Sequence, residues 1–220
     1  GDVLPLLPDP PSDDYFQYNE FLIDEEIDQG KKKSKFSLGD VLISPAMAGD
    51  MIEPNVLTAE VEDYVSIIKG YESLGEKIIV DGVVKYKNYK GKGEEKITSG
   101  YGSYRDENKL EDSVTEAEAN AQLIKDINDR LPKVKKNIKN FDKFPLDVRQ
   151  HLVSSWFRGS LSGSPLTIRL INAGKFKEAS IEFLRNEEYD NAISLDRKGI
   201  IKRMKNTAKA IKSLSKLNND

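Results

Sequence analysis

The sequence predicts an α+β protein: a small β-hairpin lobe and a larger helical lobe, behind a mostly irregular N-terminal extension. Three observations carry this expectation. Val61, Tyr64, Val65, Ile68 and Tyr71 recur at helical spacing, and Ser73-Leu74-Gly75 then stops the helix. The period next changes to two. IIV-DG-VVKY reads as strand, tight turn, strand, because Asp-Gly tolerates the positive φ of a hairpin turn. From Thr115 onward the apolar residues return to helical spacing in several successive segments.

Residues 1–57 form a separate compositional zone, expected to be an extension or docking segment ahead of a folded domain over 58–220. LPLLPDPPSDD is rich in proline and reads as extended. DYFQYNEFLIDEEID alternates aromatics with acids, a pattern suited to docking on a partner surface. The lysines after Gly30 read as a solvated loop, and 36–51 as an irregular wrap broken by Gly and Pro. Pro54 marks the boundary before the first helix.

The bulk numbers narrow the function. The chain has 220 residues, enough for one core domain and an appendage, with 38% apolar and 32% charged residues. It holds no run of 18 apolar residues, so no membrane span is expected, and no secretory leader is visible. It opens on Gly1 rather than Met, as expected of a processed product or an excised piece. Cysteine is absent, which excludes disulfides, thiolate metal sites and cysteine nucleophiles. A single histidine, His151, excludes a His-based metal cluster, and no Gly-x-Ser-x-Gly elbow supports a serine nucleophile. The net charge of −3 hides an asymmetry. Residues 1–57 carry 4 basic and 12 acidic residues, leaving 30 basic and 25 acidic in the remainder, a net of +5. A basic domain suits a polyanionic surface such as bacterial cell wall. Nucleic acid is not expected, because aromatics are not interleaved with the basic residues.

Beyond the hairpin, a second Gly-bearing turn (Lys90-Gly91-Lys92-Gly93) returns the chain into Ile97-Thr98, and 103–112 reads as a polar loop. Thr115-Glu-Ala-Glu118 is a capping box opening a helix to about Leu131, where Pro132 is expected to bend or restart the chain. A helix over 145–157 turns Val148, Leu152, Val153 and Trp156 inward. Ser164-Pro165 opens a short helix that Gly174 closes. The last helix buries Ile200, Ile201, Met204, Ala208, Ile211 and Leu214 and turns its lysines out.

The chemistry is expected around 72–98, with Glu72 ending the first helix and facing a small sheet that carries Asp81 and Thr98. A partly buried Glu72 would hold a proton near neutral pH while a solvated Asp81 stays ionised. Two carboxyls so distinguished are the equipment for hydrolysing a glycosidic bond.

Y-E-S-L-G-E-K-I-I-V-D followed by I-T-S-G-Y-G resembles the active-site signature of the bacteriophage lysozymes, glycoside hydrolase family 24. The likeness extends, in order, through the Thr115 helix start, VSSWFRGSLSG, LTIRLINAG-KFKEASIEF and the Gly-Ile-Ile-Lys-Arg opening of the last helix. It implies a lysozyme-like fold with peptidoglycan bound between the lobes. It also implies inverting cleavage of the β-1,4 bond between N-acetylmuramic acid and N-acetylglucosamine, with no metal or cofactor. The implied roles are Glu72 as general acid, Asp81 as second carboxylate, Thr98 as the residue that positions water, and Tyr101, Ser103 and Arg158 as substrate-binding residues. Two features depart from the family. The Asp-to-Thr interval is about ten residues long in excess, so that counting back from Thr98 reaches 92–95 and makes Glu94 or Glu95 the alternative second carboxylate. Ser103 replaces the His after Gly-Tyr-Gly, which is expected to remove a contact to the first helix. A single-Glu lytic transglycosylase and a wall-binding or virion module without turnover are the alternative functions. The acidic leader suggests a virion-associated enzyme whose residues 1–57 dock on another phage structural protein, acting in the virion or host envelope.

Overall fold

The computed structural model describes residues 58–91 and 94–219. The extension 1–57 lies outside the described residues, and with it every expectation placed there.

Helix α1 (Ala59–Tyr71) starts on Thr58, whose hydroxyl accepts a bond from the Val61 N–H, and buries Val61, Tyr64 and Ile68. Strands β1 (Lys77–Val80) and β2 (Val83–Lys87) form the expected hairpin around Asp81-Gly82, both at positive φ. Strands β3 (Tyr89–Lys90), β4 (Ile97–Ser99), β5 (Ser103–Tyr104) and β6 (Ser113–Val114) follow. They make two antiparallel sheets, not one: β1–β2–β6 and β3–β4–β5. Asp81 and Thr98, expected on a common sheet, therefore lie apart: Thr98 is in β4 and Asp81 is in the β1–β2 turn.

Helix α2 (Glu116–Asn137) has the reciprocal Thr115/Glu118 capping box. It runs through Pro132 rather than stopping there. Leu131, Val134 and Ile138 continue the buried stripe of Leu123 and Ile127 past the proline, and that packing outweighs the missing hydrogen bond. A 3-10 turn (Phe141–Lys143) leads into α3 (Leu146–Arg158), which buries Val148, Leu152, Val153 and Phe157. Trp156, expected inward, is only partly buried, and the full burial goes to Phe157.

Helices α4 (Pro165–Asn172), α5 (Phe176–Phe183), α6 (Glu187–Ser194) and α7 (Lys198–Ser213) complete the larger lobe. Ser164 precedes α4 as expected, but its hydroxyl donates to the Ser160 carbonyl at 2.8 Å rather than capping the helix. Helix α6 was not expected; Asn186 caps it by accepting from the Tyr189 N–H at 2.9 Å. Helix α7 buries Met204, Ala208 and Ile211 as expected, and also Arg203 and Thr207. One core, including Tyr64, Ile68, Leu123, Ile127, Leu152, Phe183, Met204 and Ile211, joins α1, α2, α3, α5 and α7.

Candidate active site

Glu72 is the residue on which α1 ends. Its backbone turns extended while its N–H still bonds the Ile68 carbonyl at 2.8 Å. The side chain is 14% exposed, and its Oε1 accepts from Nη1 of Arg203. Arg203 is itself 3% exposed. Its Nε donates to Ser154 Oγ at 2.9 Å and its Nη2 to the Ser154 carbonyl at 3.0 Å. The guanidinium also lies over the Tyr71 ring, 5.2 Å from its centroid. Burial pulls the Arg203 pKa below its usual value and Glu72 works against that pull. Each nitrogen of the fork thus faces an acceptor, and Glu72 Oε1 is fixed in direction.

Two glycines let the sheets approach this acid. Gly75 passes so close to the Lys87 carbonyl that no side chain fits there. Gly102, at φ +84°, packs directly on Glu72: a Cβ there would lie 3.1 Å from Glu72 Cδ and 3.2 Å from the Phe157 ring.

On sheet β3–β4–β5, Thr98 stands opposite both Tyr89 and Tyr104, so the three side chains share one face. Thr98 is 9% exposed. Tyr89 feels the charges of Glu72, Glu94 and Arg158, and burial with the two carboxylates pushes its phenol up to about 12. Glu94 follows a turn closed by its own N–H on the Gly91 carbonyl at 3.0 Å. Its Oε1 accepts from Arg158 Nη2 at 3.2 Å, and Arg158 Nε donates to Glu188 Oε1 at 2.7 Å. Burial opposes the charge of Arg158, but Glu188, Glu72 and Glu94 outweigh it and hold its pKa above the usual value.

The expected site residues thus divide. Glu72, Arg158 and Glu94 meet around Tyr89, and Thr98 is the buried cross-strand neighbour of Tyr89 on β4. Asp81 does not join them: it is an exposed turn residue at φ 51°, at the tip of the separate β1–β2 hairpin. That hairpin, 77–87, lies between Glu72 and β3. Glu95 is exposed. Tyr101 and Ser103, expected to bind substrate, are 7% and 2% exposed and turn into the protein. The Tyr101 hydroxyl donates to Glu116 Oε1 at 3.2 Å. Ser103 Oγ donates to Asp126 of α2, which Arg105 and Arg130 flank at 3.5 Å. Ser103 therefore keeps a polar contact to the body of the protein, and its partner is on α2 rather than α1.

Sequence reasoning reached Arg203 only through the Gly-Ile-Ile-Lys-Arg likeness, whose basics lie near the substrate in the family, without naming Glu72 as its partner, and it missed Glu188. A signal for the first was present: Arg203 is the sole arginine in a run of lysines from 198 to 216, and arginine is the residue suited to a buried, forked pairing. Glu188 sits in the first turn of α6, behind the Asn186 cap that would have announced it.

A helix-end glutamate held by a buried arginine thus stands beside a small antiparallel sheet, with a further carboxylate, Glu94, in the β3–β4 connection. The family model for phage lysozyme matches residues 80–207, more than half of the chain, and the chain belongs to that family. It is accordingly a cell-wall-acting lysozyme, a hydrolase of peptidoglycan. The matched stretch contains Glu94, Thr98, Arg158, Glu188 and Arg203, while Glu72 lies just ahead of it. No curated protein matches the chain.

Proposed function

We propose that the chain is a muramidase that cleaves the β-1,4 bond between N-acetylmuramic acid and N-acetylglucosamine with inversion, using Glu72 as general acid and Glu94 as general base. The observation that carries this reading is the placement of both carboxylates around Arg158 and Tyr89. Glu72 Oε1 is occupied by Arg203, so Oε2 is the oxygen that delivers the proton to the glycosidic oxygen. Glu94 Oε1 accepts from Arg158 Nη2, and the carboxylate takes the proton of the attacking water. Thr98 presents its hydroxyl on the face of the sheet that Tyr89 marks, where it orients that water. Arg158 contacts Glu94 directly and Glu72 only through space, which suits the water-wide gap that inversion requires, about 6.5–9.5 Å between carboxyls. Phe157 and Gly102 form an apolar backing to Glu72.

Under this reading Asp81 is a turn residue, and the folded domain begins at residue 58. The acidic extension 1–57 adapts the enzyme to a phage particle by docking on a structural protein. The test is wall lysis by Glu72→Gln, Glu94→Gln and Asp81→Asn. The first two are expected to lose activity and the third to keep it. NMR of the first-formed anomer reads inversion directly. An anhydro sugar end seen by mass spectrometry would instead identify a transglycosylase.

A further inference from the structure

Helix α7 carries a feature that the proposed chemistry does not use. Lys198, Lys202, Lys205, Lys209 and Lys212 are spaced four, three, four and three residues apart, and Lys216 continues the row in the 3-10 turn (Leu214–Asn219) that follows. At about 100° per residue the five lysines on the helix fall within about 80° of its circumference, along about 21 Å. They form one straight stripe with a cation at nearly every turn. Lys198, Lys202, Lys209 and Lys216 are exposed, and Lys205 and Lys212 are half-buried.

An ordinary solvent-facing stripe mixes signs, because Glu and Lys four residues apart stabilise a helix whereas like charges at that spacing destabilise it. Acids are not scarce: the chain holds 37 of them against 34 basic residues. Yet no Asp or Glu occurs from Arg197 through Asn219. Neighbouring elements do not neutralise Lys198, Lys202, Lys205, Lys209 or Lys216 either. Among the described residues Lys198, Lys202, Lys205, Lys209 and Lys216 form no ion pair, while Glu182 of α5 is engaged with Arg185 and Glu188 of α6 with Arg158.

We propose that this stripe is a binding surface for a linear polyanion bearing phosphodiesters, of the kind that threads a bacterial wall, and that it holds the enzyme on the wall between cleavage events. The extended, single-file arrangement fits a chain of charges better than a compact anion. A membrane surface fits less well, because the apolar side of α7 (Met204, Ala208, Ile211) is buried in the core, which leaves only the half-buried Ile201 beside the lysines for insertion. A nucleic acid fits less well too, because α7 has no aromatic side chain on which a base could stack.

The test uses the full chain and labelled poly(glycerol phosphate) as probe, with anionic phospholipid vesicles in parallel at equal phosphate concentration. The stripe variant is Lys198→Gln/Lys202→Gln/Lys209→Gln. A charge-matched control is Lys133→Gln/Lys136→Gln/Lys139→Gln, three exposed lysines at the C-terminal end of α2 and just beyond it. The stripe variant is expected to bind the polymer at least tenfold more weakly at about 150 mM salt. Its salt slope should fall by about 2, since each phosphate that the three lysines no longer neutralise contributes about 0.7. The control should bind as the parent does, and both should turn over a short, soluble muropeptide oligomer at the parental rate. Equal weakening of both variants would reduce the effect to net charge and overturn the proposal, as would tighter binding to vesicles than to the polymer. Loss of oligomer turnover by Glu72→Gln with polymer binding retained separates this surface from the catalytic reading.

Discussion

Gly102 offers the sharpest perturbation short of touching a carboxylate. Alanine there meets two costs of different origin. The backbone sits at φ +84°, a left-handed conformation that costs an L-residue about 1–2 kcal/mol. The new methyl also lies 3.1 Å from Glu72 Cδ and 3.2 Å from the Phe157 ring, so one of them must shift by a few tenths of an ångström. Phe157 is 7% exposed and backed by the core, which leaves the Glu72 carboxyl as the group that moves. Gly82→Ala supplies the control, because Gly82 also has a left-handed φ, +76°, and has open space where a Cβ would go. Both variants should lose about 1–2 kcal/mol to the backbone conformation by denaturant titration, and Gly102→Ala should lose more because of its close contacts. Only Gly102→Ala should lose kcat on peptidoglycan, by about tenfold or more, since an ångström of misplacement of a reacting group costs about a hundredfold. Equal kcat for the two variants would refute the claim that Gly102 seats the catalytic acid.

Further expectations concern charge. Arg158→Gln removes the donor that holds Glu94 Oε1 and should lower kcat on peptidoglycan, whereas Glu188→Gln leaves that contact in place and should cost less; equal losses would contradict the arrangement. His151 is buried enough to be pulled below its ordinary value near 6.5, burial outweighing the opposing effect of Asp147. Its folded form therefore binds fewer protons than the unfolded chain, and its contribution to stability is complete above pH 6.5 and lost as pH falls from there through the lower folded value. The difference in unfolding free energy between the parent and His151→Gln, followed from pH 8 to 5, should show a loss of at most about 1.4 kcal/mol per pH unit in the parent alone. Ser103→Ala leaves one oxygen of the buried Asp126 short of a donor and should cost about 1–3 kcal/mol, while kcat at temperatures where the protein is folded stays near parental.

Local signals carried much of this architecture. The end of α1 at Glu72, the Asp81-Gly82 hairpin and the Thr115 capping box were all legible, because each depends on residues within a few positions of one another. The surroundings of Asp81 were not, because they depend on which strands share a sheet. Asp81 lies nine positions beyond Glu72, past Glu76, and the division into β1–β2–β6 and β3–β4–β5 leaves Asp81 in the turn of one sheet and Glu94 in the β3–β4 connection of the other. Pro132 misled for a related reason: its local rule ends a helix, while the buried stripe from Leu123 to Val134 keeps it going. Tyr101 and Ser103 were placed by their position in a motif, and their partners, Glu116 and Asp126, sit on α2, beyond what spacing within the motif reveals. Arg203, 131 residues from Glu72, is the longest-range member of the site; the change from lysine to arginine at that position marked it, and only the fold shows what it holds.

The measurement that bears most directly on the central claim is the rate of reducing-end release from purified peptidoglycan by Glu72→Gln and Glu94→Gln, beside Asp81→Asn. The two-carboxylate account predicts that the first two fall by at least about a hundredfold while remaining folded, and that Asp81→Asn keeps parental turnover. Full activity in Glu94→Gln together with an inactive Asp81→Asn would contradict it.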